Sequence, residues 1–373
     1  MKNGTTISTY QFFSMIVLFE LGSAIVVGVG LDAGQDAWIT VLIAMLAGLV
    51  LYCVLYYLHS HFPSDTWIAY LQKVLTVPIG WFVGFLYCLY FIYIATRVLR
   101  DFGDLLTTSM LTDTPLMVIN LMMVLVIVYV LFHGINVLAR TGEFFLIILF
   151  FIGFFSVTLI FSTDLYNIKN LLPILENGWI PVLRQAFPVT FTFPFGEIIV
   201  FTMLFHFLNK KEMGFRIGLL AIGVSGLLLA LTTILYIIVL GVDITNRATF
   251  PLLTMVGKIQ AADFIERLDA LAVTVLVVAM FFKVAIFFYA GVAGISELFK
   301  VDKSQKILPL FGAILVFNSV QIAANFSEHL KEGLEVVPYY LHLPFQVGIP
   351  LIVLGILLIQ KKMGKVKNSS SLS

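Results

Sequence analysis

The sequence predicts an all-α integral membrane protein of ten transmembrane helices, built as a five-plus-five inverted repeat whose helices 1 and 6 are broken. Of its 373 residues, 60% are hydrophobic and 12% charged, with a mean hydropathy of +1.04. A soluble domain carries about twice that charged share, roughly a quarter. Apolar runs of about 20 residues, the length that spans a bilayer, recur from end to end, and two of them are interrupted, five helices apart. Interrupted hydrophobic segments at corresponding positions of two halves point to the midplane site of an inverted-repeat transporter fold.

The first run, Ser8–Leu31, is apolar except around Glu20, which is followed closely by the small residues Gly22, Ser23 and Ala24. It is too long and too interrupted for a signal-peptide core, so it is expected to stay in the mature protein. Asp32–Asp36 is a polar turn, Ala37–Leu58 the second span and Thr66–Leu75 a short amphipathic helix. Val77–Thr107 is a third span long enough to protrude, Pro115–Phe132 the fourth and Phe144–Phe161 the fifth, with His133, Gly134 and Arg140 to Glu143 on the approach to it. Residues 1–161 make the first repeat and residues 162–181 an extracytoplasmic connector. The second repeat, residues 182–360, opens on the run Val182–Leu208 and continues with Gly214–Leu240, Leu268–Leu298, Ile307–Ala324 and Val337–Ile359. Residues 361–373 are basic and then serine-rich, which predicts a disordered cytoplasmic tail.

Within the sixth run, Pro188, Pro194, Gly196 and Glu197 fall close together. Proline removes a backbone hydrogen bond, glycine is costly inside a helix, and a carboxylate in hydrocarbon is expensive. A broken backbone at membrane depth is tolerated only where protein buries it or where it lines a cavity. Pro194–Glu197 is therefore expected to be the unwound middle of a discontinuous helix, a single proline-kinked helix being the alternative. The two breaks supply the candidate ligand-binding residues: Gly22, Ser23 and Ala24 in the first run, Thr192, Phe193 and Gly196 in the sixth. Half-helix N-termini suit a carboxylate or a hydroxyl, and unwound carbonyls suit an ammonium or a hydroxyl. A small amino acid satisfies both sets; a sugar satisfies the hydrogen bonds without the charge match.

Lys283 stands about halfway along the eighth run, where an unpaired ammonium costs at least ~2.5–3.5 kcal/mol. Glu20 and Glu197 are its candidate partners, Glu197 first, and the three read as a charge relay or as the surrogate of a bound cation. Near the end of the third span, Arg97/Asp101 and Arg100/Asp104 have the i,i+4 spacing of helical ion pairs.

Charge asymmetry orients the chain. With a cytoplasmic N-terminus, the inside segments hold Lys2, Lys73, Arg140, Lys210, Lys211, Arg216, Lys300, Lys303, Lys306, Lys361, Lys362, Lys365 and Lys367. The outside holds Lys169, Arg184, Arg247, Lys258, Arg267 and Lys331, with Arg97 and Arg100 near the outer end of the third span. The positive-inside rule then puts both termini in the cytoplasm.

The sequence holds no catalytic constellation, which excludes an enzyme reading. His59 and His61 lack the Cys or carboxylate pattern that would complete a zinc site, His206 is a capped polar contact or a weak proton-relay candidate, and no phosphate-cradling glycine loop is present. No metal or cofactor is expected. A net charge of +1, without a basic domain, gives no nucleic-acid partner. Cys53 and Cys88 fall in apolar spans and read as small buried hydrophobes.

Six motifs, in order, carry a resemblance to a known family. They are Leu21 to Ala24, Asp36 to Ile39, Ala95 to Arg97, Leu172 to Pro181, Phe193 to Glu197 and Phe264 to Arg267. Taken with length and span count, the chain resembles the spore germination permease-like proteins, the B subunits of nutrient germinant receptors. That family is similar to the amino acid–polyamine–organocation superfamily, with its LeuT-type fold. The resemblance implies a multi-pass protein of the spore inner membrane that binds a small germinant, amino acid or sugar, between helices 1 and 6. It also implies partner subunits, an A-type membrane protein and a C-type lipoprotein, that read the change and trigger germination. A proton-coupled amino acid permease is the alternative, and a channel-like pore component a third reading.

Overall fold

The computed structural model describes residues 6–162, 165–260 and 268–364. The expectations for Lys2, for the motif from Phe264 to Arg267 and for the tail beyond residue 364 lie outside the described residues.

Helix α1 (Thr9–Val27) starts on a capping box in which Ser8 Oγ accepts from Gln11 N at 3.1 Å and Gln11 Oε1 from Ser8 N at 2.9 Å. It is apolar on all sides and almost wholly buried, as a central helix must be. At Gly22 it leaves helical geometry, with φ 4° and ψ −124°. Helix α2 (Ala37–His61) follows a six-residue 3₁₀ turn, and α3 (Trp67–Leu75) is capped by Thr66 and buries Trp67, Ile68, Tyr70, Leu71 and Val74 while Lys73, on its exposed side, pairs with Asp65. Helices α4 (Val77–Ser109) and α5 (Leu116–Phe132) come next.

The fifth span begins earlier than expected. Helix α6 runs Ile135–Phe161 from Gly134 at φ 104°, so Arg140 and Glu143 lie in the helix rather than on its approach. Glu143 Oε2 accepts from Gln11 Nε2 at 3.2 Å, which lets that carboxylate sit at the end of α1.

The sixth run starts as α7 (Trp179–Gln185), passes through a π-helical stretch at Ala186–Thr190, and after Pro194 continues as a 3₁₀ helix, Phe195–Met203. Phe187 is extended (φ −132°, ψ 126°), the conformation a following proline enforces. Helix α8 (Lys211–Leu240) is followed by α9 (Val242–Arg247) and α10 (Pro251–Gln260), two short helices absent from the expected plan, and then by α11 (Leu268–Leu298).

The ninth run, by contrast, is shorter than expected. Helix α12 (Leu308–Gln321) has 14 residues, about 21 Å at 1.5 Å per residue and less than the ~30 Å hydrocarbon core. The Phe326–Val336 segment, containing α13 (Phe326–Lys331), is bent 103° from it. Asn325 forces the turn by capping the new helix, its Oδ1 accepting from Glu328 N at 2.9 Å. The chain closes with a π-helical stretch, Pro338–Gly348, and α14 (Ile349–Lys362).

Among the described residues, eight helices are long and apolar enough to cross a membrane, or nine if α12 and the bent segment form one span; α5 is a shorter apolar helix. The protein is a multi-pass membrane protein. Helix α11 packs along α4 and α1, and α8 along α1 and α2, so α1 lies at the centre. The connections fall on two faces. On one, Ile7 and the 207–209 backbone exchange hydrogen bonds of 2.8 and 3.1 Å, Lys211 Nζ donates to Pro63 O, and Thr66 Oγ1 donates to Glu297 Oε2. On the other, Asp36 Oδ1 accepts from Leu175 N, Asn167 N donates to Ile238 O, and Phe250 meets Phe326.

Candidate functional site

The two interrupted segments and α11 meet at a buried ion pair. Lys283 Nζ lies 2.5 Å from Glu197 Oε2, with side-chain exposures of 0% and 2%. Two aromatic faces complete the ammonium's surroundings, Phe193 at 4.6 Å and Phe19 at 5.2 Å from Nζ to ring centre, a favourable cation–π geometry in a desolvated place. Of the two carboxylates the sequence offered, Glu197 is thus the one in contact. Glu20 is fully buried beside the pair, and neither of its oxygens has a hydrogen-bond partner among the described residues.

The glycines explain how this fits. A Cβ on Gly22 would come within 2.5 Å of Lys283 Cδ and 3.1 Å of its Cβ, so the missing side chain is what lets the lysine stem cross α1 at its interruption. A Cβ on Gly196 would collide with Gln346 Oε1. The room beside both glycines is therefore filled by protein side chains. Ser23 is fully buried, its hydroxyl without a partner among the described residues, Ala24 is buried, and Thr192 is buried with Oγ1 donating to Val189 O at 3.2 Å. Gly22→Val is expected to push Lys283 off Glu197, and Gly196→Val to expel the Gln346 amide. In the germination reading that the resemblance implies, both should abolish the nutrient response, and Gly22→Val, which leaves both buried charges unpaired, should lower the protein level on immunoblots as well; a full response in both would move the site elsewhere.

Three residues of this site were missed in the sequence. Gln346 Nε2 donates to Tyr90 Oη at 2.9 Å and to Thr192 O at 3.1 Å, and lies 3.1 Å from His342 Nδ1, which is itself 2.7 Å from Tyr90 Oη. This network ties α4 and the Pro338–Gly348 stretch to the backbone of the sixth run. The available signal was a polar pair, His342 and Gln346, four apart in an apolar run and so on one helical face.

Towards the face that carries Asp36 and Leu175, a cavity of about 50 Å³ is lined by Arg97, Asp101, Phe193, Glu197, His329 and His342, among others. The pairing expected of Arg97 and Asp101 is not formed. Arg97 Nη1 meets Glu332 Oε2 at 3.2 Å and Nη2 donates to His329 O at 2.5 Å, while Asp101 Oδ1 is 2.9 Å from His329 Nε2. The bent segment supplies closer partners than the helix itself. Arg100 and Asp104 do pair, Nε to Oδ2 at 2.6 Å. Among the described residues no group of three His, Cys, Asp or Glu could hold a metal ion.

Known proteins give this geometry a context. The solved structure of Mhp1, a nucleobase-cation-symport-1 family transporter in a closed conformation with bromovinylhydantoin bound, matches with a TM-score of 0.64 over 86% of this chain and 73% of that chain, at 12% identity. That likeness is one of fold. Spore germination protein KB of Bacillus subtilis (strain 168) is 40% identical over 95% of both chains, and spore germination protein YndE of the same organism is 24% identical over 76% of this chain and 77% of that protein. The Spore_permease family model, described as spore germination protein, matches residues 6–327. With that match and the 40% identity, the chain belongs to the Spore_permease family of spore germination proteins.

Proposed function

We propose that this chain is the nutrient-sensing transmembrane subunit of a spore germinant receptor, binding a small amino acid or sugar between the interrupted first and sixth spans. The observation that carries the reading is the site itself. Two backbone interruptions, a buried Lys283–Glu197 pair and Glu20, whose oxygens have no hydrogen-bond partner among the described residues, come together in a relative of a germination protein. In this reading Gly22, Ser23, Ala24, Thr192, Phe193 and Gly196 receive the nutrient after Lys283 and Gln346 yield the space beside the glycines. Glu20, Glu197 and Lys283 act as a charge relay or replace a bound cation. The nutrient then biases a conformational equilibrium by its differential affinity for two states, and A-type and C-type partner subunits in the spore inner membrane read the change.

The same proposal completes the architecture. The short helix α5 and the bent ninth run make up ten spans, divided into repeats at 1–161 and 182–360 by the connector at 162–181. Lys73, Lys210, Lys211, Arg216, Lys300, Lys303, Lys306 and Lys361 belong to the ends that meet on the Ile7 face, which makes that face cytoplasmic under the positive-inside rule. Single cysteines in Asp32–Asp36 and 325–335 should react with impermeant reagents from outside, and those in 209–211 and 300–306 only from inside. The reverse labelling pattern would sink the orientation.

Calorimetric titration of L-alanine, L-valine, L-asparagine and glucose into the purified chain, with and without partner subunits, tests the receptor reading. Binding of one of them without accumulation of the same tracer in proteoliposomes is the expected result. Concentrative uptake driven by a proton gradient would establish the permease instead.

A further inference from the structure

We propose that Arg97 anchors the carboxylate of an incoming nutrient, and that binding there displaces Glu332 and frees the Phe326–Val336 segment. The inference rests on the receptor reading and names the ligand class, a carboxylate-bearing nutrient. A guanidinium offers five donors in a planar fork, and a carboxylate can take two of them in parallel. Arg97 is buried against the cavity. Yet its one carboxylate partner among the described residues is Glu332, through a single contact at 3.2 Å, and the Glu332 side chain is 39% exposed. That pair is weak in place and open to competition.

The segment rests directly on the guanidinium. Its holds on α4 are Glu332 on Arg97, the His329 carbonyl on Arg97 and His329 Nε2 on Asp101. A Cβ on Gly333 would come within 2.5 Å of Arg97 Nη2. A carboxylate arriving at Arg97 removes the first hold and competes with the second. Glu197 and Phe193 line the same cavity, a carboxylate and an aromatic face suited to the ammonium of the same molecule. About 50 Å³ is room for a few waters, at ~10–15 Å³ each, or for one carboxylate group, so a whole amino acid goes deeper only once the segment lifts. The 103° bend between α12 and the segment supplies the hinge.

The test uses the full chain in lipid nanodiscs, in a Cys53→Ser/Cys88→Ala background, with a reporter cysteine at Val27, which lines the cavity. Its labelling by a water-soluble cationic thiosulfonate reads the segment's opening. Glu332→Gln is expected to speed labelling about two- to fivefold without nutrient, the range of a partly exposed ion pair. At least one of L-alanine, L-valine and L-asparagine should speed it similarly in the parent, its amide should not, and the acid should add little in Glu332→Gln. Unchanged labelling in Glu332→Gln overturns the inference. So does acceleration by none of the compounds, or by an amide or glucose as strongly as by the acids. Failure of the receptor reading would appear separately, as tracer accumulation by the isolated chain.

Discussion

Lys283→Met is expected to lower the amount of folded protein in the membrane sharply, and Lys283→Met combined with Glu197→Gln to restore part of it. Removing one partner of a buried pair leaves the other charge without compensation, a cost of ~3–5 kcal/mol, whereas replacing both by neutral groups of similar size is often close to harmless. Both side chains are essentially inaccessible, so solvent cannot screen the remaining charge. Methionine is also close in length to the lysine stem that passes Gly22, which limits any cavity effect. The two rings that face the ammonium, Phe19 and Phe193, pack as well against a thioether. Quantitative immunoblots of the parent, the two single variants and the double variant make the cycle. Single variants that accumulate like the parent, or defects that simply add, would mean that the pair does not act as a unit. Nutrient response need not return with the level, because Glu197 lines the cavity proposed to admit the nutrient.

The parts of this molecule that were legible in the sequence are those where a residue is costly unless a specific structure excuses it. Gly22 and the proline-rich sixth run announced themselves in this way, as did Lys283 and its carboxylate partner. Arg100 and Asp104 were legible because a helix fixes their spacing. What was not legible depends on partners supplied by distant segments. Arg97 has an i,i+4 acid at Asp101, but the bent segment brings Glu332 and His329 closer, and nothing local in the sequence foretells a 103° turn there except Asn325. The early start of α6 was hidden because Arg140 and Glu143 read as interfacial; the contact from Gln11 to Glu143 accommodates that carboxylate within a helix. The space beside Gly22 and Gly196 looked free for a ligand. Long side chains from the eighth and tenth runs fill it, which no inspection of the two glycines alone could reveal.

The Arg100→Leu variant should be among the least stable single substitutions on α4. Its Nε holds Asp104 at 2.6 Å with exposures of only 6% and 11%. Its Nη1 donates to Val320 O at 3.2 Å and Ala323 O at 3.0 Å, with Ser319 O at 3.5 Å. Ser319 and Val320 lie in the last turn of α12 and Ala323 just beyond it, where intrahelical donors run out and a cation also meets the negative end of the helix dipole. The leucine variant would therefore orphan a buried carboxylate and a helix terminus together, a loss of ~3–5 kcal/mol. Arg100→Lys keeps the charge but cannot reach both sets from one planar fork, so it should fall between the parent and Arg100→Leu. Glu332→Gln, touching a pair whose acid is 39% exposed, should cost no more than ~1 kcal/mol. Thermal unfolding of the detergent-solubilised proteins, followed by size-exclusion chromatography, ranks the three. An Arg100→Leu protein as heat-resistant as Glu332→Gln would show that α12 is held to α4 by its apolar packing and the Asn120–Ser319 hydrogen bond, not by the arginine.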